Sequence, residues 1–358
     1  MATENLSKAK NAKQDEFYTQ YADIEKEVNA YLEFNPDTFK DKTILLPCDD
    51  PEWSNFTRYF ALHFEDLGLR KLISTSYAPE SKRLKQELEL TLFETESPQF
   101  DPQKAQTKGK IFVLDRDIDG DGKIDINDLQ WEYLEGDGDF RSAEVKAFRD
   151  KADIIITNPP FSLFREFFAW LMESGKEFLV ICNKNSVTYK EIFPYIKNNK
   201  VWVGTRNWAG GMWFETTNLD DFDKIVCGIY MKNTPSIWFT NLEHGRRHQP
   251  LSLMTMADNL KFSRHKEIKG KQAYDKYDNY DVIEVPYTDA IPSDYDGVMG
   301  VPISFLDKYC PEQFEIVGMA EDNGKGFSGK ESKWDGVNPH CVVNGKNMFK
   351  RIFIRKKR

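Results

Sequence analysis

The sequence has no C-x-x-C pair. Its five cysteines, Cys48, Cys182, Cys227, Cys310 and Cys341, stand far apart. An odd, dispersed set argues against a zinc ribbon and a disulfide scaffold, and predicts reduced thiols in a cytoplasmic protein. No apolar run reaches the roughly 18 residues that a membrane helix needs, so no membrane partner is expected. The first residues are polar and carry no apolar h-region, so no secretory leader is expected there. Positive charge is in deficit: 49 Lys and Arg face 58 Asp and Glu, giving 49 − 58 = −9. That weighs against a non-specific DNA coater, which is basic overall, but leaves room for a local basic face.

What is present is enough chain for a full core. The 358 residues are 40% apolar and 30% charged, which rules out wholesale disorder and predicts two domains or one domain with a large extension. Residues 1–16 read as an arm. Apolar positions at spacings of four and three predict a helix over 23–31. Short apolar runs predict strands at 43–47, 71–75, 110–114, 153–157, 177–182 and 201–204. Helices are expected at 54–67, from 79, through 131–134, and at 164–173 and 189–197. Alternation of this kind predicts an α/β fold with parallel strands. Segments 225–231 and 236–240 could close the sheet as an antiparallel hairpin. After about residue 243 the pattern changes, and a domain boundary is expected there: 1–242, then 243–358.

One tetrapeptide stands out. Asn158-Pro159-Pro160-Phe161 ends an apolar strand and precedes a helix. In an open parallel sheet, ligands collect outside the carboxyl ends of strands. Two prolines fix φ twice and remove two N–H donors, leaving a stiff turn rich in acceptors. The Asn158 side-chain oxygen and the Pro159 carbonyl suit the two hydrogens of an exocyclic amine on a planar base. Phe161 could stack on that base once it has left the duplex. The plainer alternative is a Pro-Pro turn that ends a strand.

Around this motif the chain resembles the DNA adenine-N6 methyltransferases, most closely the EcoRI-type family. The residues that carry the resemblance are Asp15-Glu16-Phe17-Tyr18-Thr19-Gln20, Cys48-Asp49-Asp50-Pro51 with Ser54-Asn55-Phe56, Leu134 to Ser142 (LEGDGDFRS), and Thr157 to Arg165 (TNPPFSLFR); Gly300 to Leu306 (GVPISFL) is a weaker match. The resemblance implies a Rossmann-like, S-adenosylmethionine-dependent sheet with a C-terminal recognition region. It implies a monomer acting on double-stranded DNA by base flipping, as in restriction-modification. Catalysis would fall to Asn158, Pro159, Pro160 and Phe161. Cofactor binding would fall to Phe17, Tyr18 and Thr19, to Asp49 and Asp50, and to Asp139 with Phe140. One departure is plain: the turn after the first core strand, Pro47 to Pro51, has no glycine. Asp50 as a cap, Asp139-Phe140 as part of an acidic hairpin, and Phe17 to Thr19 as an anchor remain open alternatives. So do two other functions: an RNA or protein-glutamine methyltransferase, and a calcium-dependent nucleic-acid-binding module without catalysis. Phe161 in place of Tyr, and the glycine-free turn, speak against the glutamine enzymes.

Two further signals concern charge. Residues 117–128 (DIDGDGKIDIND) fit a twelve-residue calcium loop. Asp117, Asp119, Asp121, Asp125 and Asp128 would ligate through carboxylates and Lys123 through its carbonyl. Asp replaces the usual Glu at the last position, and a strand precedes the loop. The alternative is a solvated acidic turn. Toward the C-terminus, Arg246, Arg247, Lys350, Arg351 and Arg355 are the candidate DNA contacts.

Overall fold

The computed structural model describes residues 17–49, 54–78, 100–206, 208–216, 221–322, 325–327 and 333–357. The N-terminal arm, Asp50 and the helix expected from residue 79 lie outside them. The chain divides into two compact units, Met1–Lys184 with Ala209–Leu242, and Asn185–Trp208 with Glu243–Arg358. The second unit thus also takes in a segment that the sequence pattern assigned to the first.

The first unit begins with β1 (Phe17–Thr19) and α1 (Tyr21–Phe34). Next come β2 (Thr43–Leu46), α2 (Asn55–Leu62) and β3 (Lys71–Ser76). β4 (Lys110–Leu114) and β5 (Gln130–Tyr133) lead to α3 (Ala143–Lys151), then β6 (Ile154–Thr157), α4 (Phe164–Ser174) and β7 (Glu177–Asn183). The sheet runs in the order β5, β4, β3, β2, β6, β7, followed by Ser236–Thr240. β3, β2, β6 and β7 are parallel. β4, β5 and Ser236–Thr240 pair antiparallel, so the sheet is mixed.

The central strands are fully buried, as their unbroken apolar runs require. Ile44, Leu46, Ile154, Ile156, Leu179 and Ile181 join Phe56, Phe60 and Trp238 in one core. Each such side chain contributes about 1.5–3 kcal/mol on burial. α4 buries Phe164, Phe167, Phe168 and Leu171, spaced at three and four, and stops at Gly175 in the left-handed region. Ser54 and Ser142 cap α2 and α3 by accepting from Phe56 N and Val145 N.

Three expectations need correction. Residues 131–134 lie mostly in a strand and form no helix, because Trp131 packs inward while Glu132 faces water and β4 supplies the ladder. In the 189–197 stretch only Phe193–Lys197 is α-helical. Ser236–Thr240 does pair with β7, but Lys224–Val226 and Ile229–Thr234 do not join that sheet. They form a separate hairpin turning at Cys227 and Gly228, both at positive φ. With β1 and Met212–Thr216 the hairpin makes a second, four-stranded sheet.

In the second unit, Arg351–Lys356 is a central strand between Met299–Pro302 and Phe314–Met319. Tyr277 and Tyr280 pack on Phe353 with ring centroids 6.2 and 5.2 Å apart. No helix among the described residues is long and apolar enough to cross a membrane.

One glycine is dictated by close approach. Gly138 has φ +81, and a Cβ there would overlap the Ser76 carbonyl oxygen at the end of β3. Ala78 N donates to Asp137 O nearby, at 2.8 Å. Gly138→Ala should therefore destabilise by roughly 2 kcal/mol or more. Gly136→Ala, whose Cβ would meet only Glu144 Oε2 at 3.5 Å, should cost much less. Thermal melting of the two variants checks this; equal melting temperatures would mean that the approach is not tight.

Candidate active site

β2 and β6 are parallel neighbours, so the segments leaving them emerge at the same sheet edge. After β2 the chain turns at Pro47-Cys48-Asp49, and after β6 it enters Asn158. The buried Asp49 carboxylate joins the two. Its Oδ1 accepts from Ser54 Oγ at 2.7 Å and its Oδ2 from Thr157 Oγ1 at 2.5 Å. Ser74 Oγ donates to the Asp49 carbonyl and Thr75 Oγ1 to the Pro47 carbonyl at 3.1 Å. These hydroxyls hold a turn that contains no glycine. Ser54 and Thr157 lie in segments that carry the resemblance, but the sequence assigned them no role, and Ser74 was not singled out. The available signal was a hydroxyl residue at the end of an apolar strand or the start of a helix.

In the tetrapeptide, Pro159 is buried, Asn158 is half-buried and its side-chain oxygen is buried. Leu163 N donates to Pro160 O at 3.0 Å, starting the short helical turn Phe161–Leu163. Phe161 meets Phe214 edge-on, with centroids 6.3 Å apart. Phe214 lies on Met212–Thr216, opposite Thr19 of β1. Asn55 Nδ2, at the start of α2, donates to Thr19 O at 2.8 Å. Thus β1, which holds Phe17, Tyr18 and Thr19, is brought beside the tetrapeptide by a strand the sequence pattern missed. Thr19 is buried, and its Oγ1 has no hydrogen-bond partner among the described residues.

Asp139 follows the Gly138 approach to β3. Arg141 grips its carboxylate with Nε at 2.9 Å and Nη2 at 2.6 Å, and reaches Glu166 on α4 with Nη1 at 2.9 Å. Burial pushes the Asp139 pKa up, but the hydrogen bonds and charge of Arg141 outweigh it and hold the carboxyl below its ordinary value. Phe140 is buried edge-on against Phe167 and Trp170 of α4, so it belongs to the core as well as to the motif.

In the acidic loop, one carboxylate oxygen each from Asp117, Asp119 and Asp128 comes within 4.8 Å of the others. Asp121, Asp125 and Lys123 are not in that group. Asp128 is buried, and its oxygens accept from the backbone N–H groups of Asp125, Ile118 and Asp119, which hold its pKa down. Asp117 likewise accepts from Gly120 N and Gly122 N.

A family model described as adenine-specific methyltransferase EcoRI matches residues 5–357. The chain belongs to this family. It is an enzyme, an adenine methyltransferase of DNA. Three curated relatives are similar over most of their length. The type II methyltransferase M.EcoRI of Escherichia coli is 38% identical, covering 99% of this chain and 96% of the relative. M.MpnI of Mycoplasma pneumoniae is 34% identical over 87% and 84%, and M.MgeORF184P of Mycoplasma genitalium 32% over 98% of each. No solved structure matches.

For a methyltransferase that meets DNA, the candidate cations differ in placement. Arg246 pairs with Asp307 at 2.7 Å. Arg247 is buried over the Trp202 ring at 3.9 Å and pairs with Glu243 at 3.3 Å. Arg351 is buried and grips Glu284 at 2.8 Å, an ion pair inside the second unit. That placement makes Arg351 part of the core. Arg355 pairs with Glu315 at 2.5 Å, and Lys350 Nζ donates to Thr188 Oγ1 at 3.4 Å; both are partly exposed.

The Asp139–Arg141 pair has a pH signature. A carboxylate held below its unfolded value adds stability above that value, near 3.9, and loses it as pH falls through the lower folded one. In Arg141→Ala the side-chain hydrogen bonds and the charge are lost, and only the backbone N–H of residue 141, which donates to Asp139 Oδ1 at 2.8 Å, still opposes burial, which penalises the ionised form. The stability gap between wild type and Arg141→Ala should therefore be full near pH 7 and narrow as pH falls below about 4, toward the lower folded value. Urea melts near pH 7 and at about pH 3 test it; a constant gap would remove the coupling.

Proposed function

We propose that this methyltransferase acts as a monomer in the cytoplasm and methylates the exocyclic N6 amine of adenine at a specific site in double-stranded DNA, after flipping the base. The observation that carries this reading is the strand order. From the middle of the sheet the chain order steps outward from β2 to β3 on one side and from β6 to β7 on the other, with all four strands parallel. The crevice outside the carboxyl ends at such a reversal is where doubly wound, Rossmann-like sheets take ligands. Asp49 and Asn158 follow the two strands that flank it.

S-adenosylmethionine, when bound, supplies an electrophilic methyl group. The residues at this edge fit it: the buried Thr19 hydroxyl without a partner among the described residues is a polar contact waiting for a ligand. Phe17, Tyr18, Thr19, Asp49, Asp50, Asp139 and Phe140 would hold it, with the ionised Asp139 accepting from an amino group. Asn158 and Pro159 would accept the two hydrogens of the adenine amine and so direct its lone pair. Pro160 stiffens that turn, and Phe161 would face the flipped base. The chain's residues need supply no tuned general base, because the amine can lose its proton after attack. We assign catalysis and cofactor binding to 1–242, less the segment 185–208 that packs with the second unit, and DNA recognition to 243–358. Within that region Arg246, Lys350 and Arg355 are better placed for phosphate than the buried Arg247 and Arg351.

Asn158→Ala should lower kcat on the order of 10²-fold, the size expected for losing one transition-state hydrogen-bond partner, while cofactor affinity changes little. Asp139→Ala should do the reverse and weaken cofactor binding in calorimetry. Wild-type turnover in the first variant, or unchanged affinity in the second, removes that residue from its role.

A structural calcium in loop 117–128 is the smaller part of the proposal, supported by the gathering of Asp117, Asp119 and Asp128. It takes no part in methyl transfer. Calcium should raise the melting temperature once its concentration exceeds Kd, with a gain that grows as the logarithm of that ratio, and Asp117→Asn with Asp119→Asn should abolish the gain. Identical melting with calcium, magnesium and chelator leaves a solvated turn.

A further inference from the structure

We propose that Asp49 is a positioning residue, whose carboxylate sets the placement of Asn158 by holding Thr157. The inference rests on the reading of Asn158 above and goes beyond it. Thr157 is the last residue of β6 and the immediate neighbour of Asn158. On the β7 side its backbone is held by the ladder, opposite Val180. On the β2 side the paired register ends at Leu45 and Ile155, two residues short. There the Asp49–Thr157 bond, at 2.5 Å, takes over from the ladder.

The other carboxylate oxygen accepts from Ser54 Oγ, and that hydroxyl also caps α2 through Phe56 N. Thr157 is fully buried and Asp49 nearly so. A buried carboxylate is costly unless hydrogen-bonded, and both hydroxyls help to offset that cost. The clasp therefore fixes three things together: the turn after β2, the start of α2 and the entry to the tetrapeptide. Directed attack by an amine tolerates little error, and a misplacement of about 1 Å can cost on the order of 10²-fold in rate.

The test uses the full chain with Thr157→Val, which removes the donor, and Thr157→Ser, which keeps it. Single-turnover methyl transfer to DNA, cofactor affinity by calorimetry and melting temperature are read for each. Thr157→Val should slow transfer by about 10- to 100-fold with cofactor affinity nearly unchanged, and Thr157→Ser should recover most of the rate. With cofactor saturating, so that any contact Asp49 makes to it does not limit the rate, adding Asp49→Asn to Thr157→Val should slow the transfer step little further, since the two act on it as one unit. Ser54→Ala, at the other arm, should give a smaller drop, and it carries the test if Thr157→Val does not fold. A wild-type rate in Thr157→Val, or in Ser54→Ala where only that variant folds, overturns the proposal. So does equal impairment by Val and Ser, which would mean packing alone, or a loss of cofactor affinity that accounts for the rate loss. A silent Asn158→Ala would instead remove the reading of Asn158, so the two failures are distinct.

Discussion

A single buried carboxylate organises the sheet edge on which the rest of the site depends. Asp49 takes a carboxyl group into the protein interior, where such a group is costly unless hydrogen-bonded. It is tolerable because Ser54 and Thr157 both donate to it. Those donors come from a helix cap and from the end of a different strand. If either moves, the carboxyl loses a donor, so the turn after β2 and the entry to Asn158 are tied to each other. In a glycine-rich turn, a close backbone approach does this work. Here strand-end hydroxyls do it.

The same economy appears at Asp139. Gly138 lets the chain press against Ser76, and Phe140 anchors the segment in the aromatic cluster of α4. Arg141 then ties Asp139 to Glu166 on that helix. α4 begins three residues after Phe161, so the acidic–aromatic pair and the tetrapeptide are supported by the same helix. A change in one can reach the other through packing rather than through direct contact.

How much of this could be read from the sequence depended on range. The runs at 43–47, 71–75, 110–114, 153–157 and 177–182 are short and centred on branched or aromatic apolar residues, and every one contains a strand. Trp131-Glu132-Tyr133 is too short for its period to declare itself, and only the ladder to β4 makes it a strand. β1 is three residues long, and its partner lies nearly 200 residues away. No local pattern encodes such a pairing. The tetrapeptide and the acidic loop are contiguous and were legible. The partners of Asp49 were not, because Thr157 reads as one more residue in an apolar run until the fold sets β2 beside β6. Arg351 misled for the opposite reason: a basic cluster reads as solvated, yet its strand lies inside a sheet, where Glu284 neutralises it.

This pairing bears on how a chain of net charge −9 can meet DNA. Affinity for phosphate depends on the cations that reach it, and neither total charge nor total basic count decides it. Arg246, Arg247, Arg351 and Arg355 each face an acid of their own unit. A buried pair such as Arg351–Glu284 is lost to solvent altogether, and breaking it would strand Glu284. A surface pair such as Arg355–Glu315 is worth little to stability, so phosphate can compete for its arginine at small cost. If DNA recognition falls to this unit, as proposed, the cations with least to give up are the partly exposed Arg355 and Lys350, with exposed Lys346 and Lys357 beside them in the chain. An acidic protein can present such cations as long as its acids are used elsewhere, in the interior, in ion pairs and in loops like 117–128.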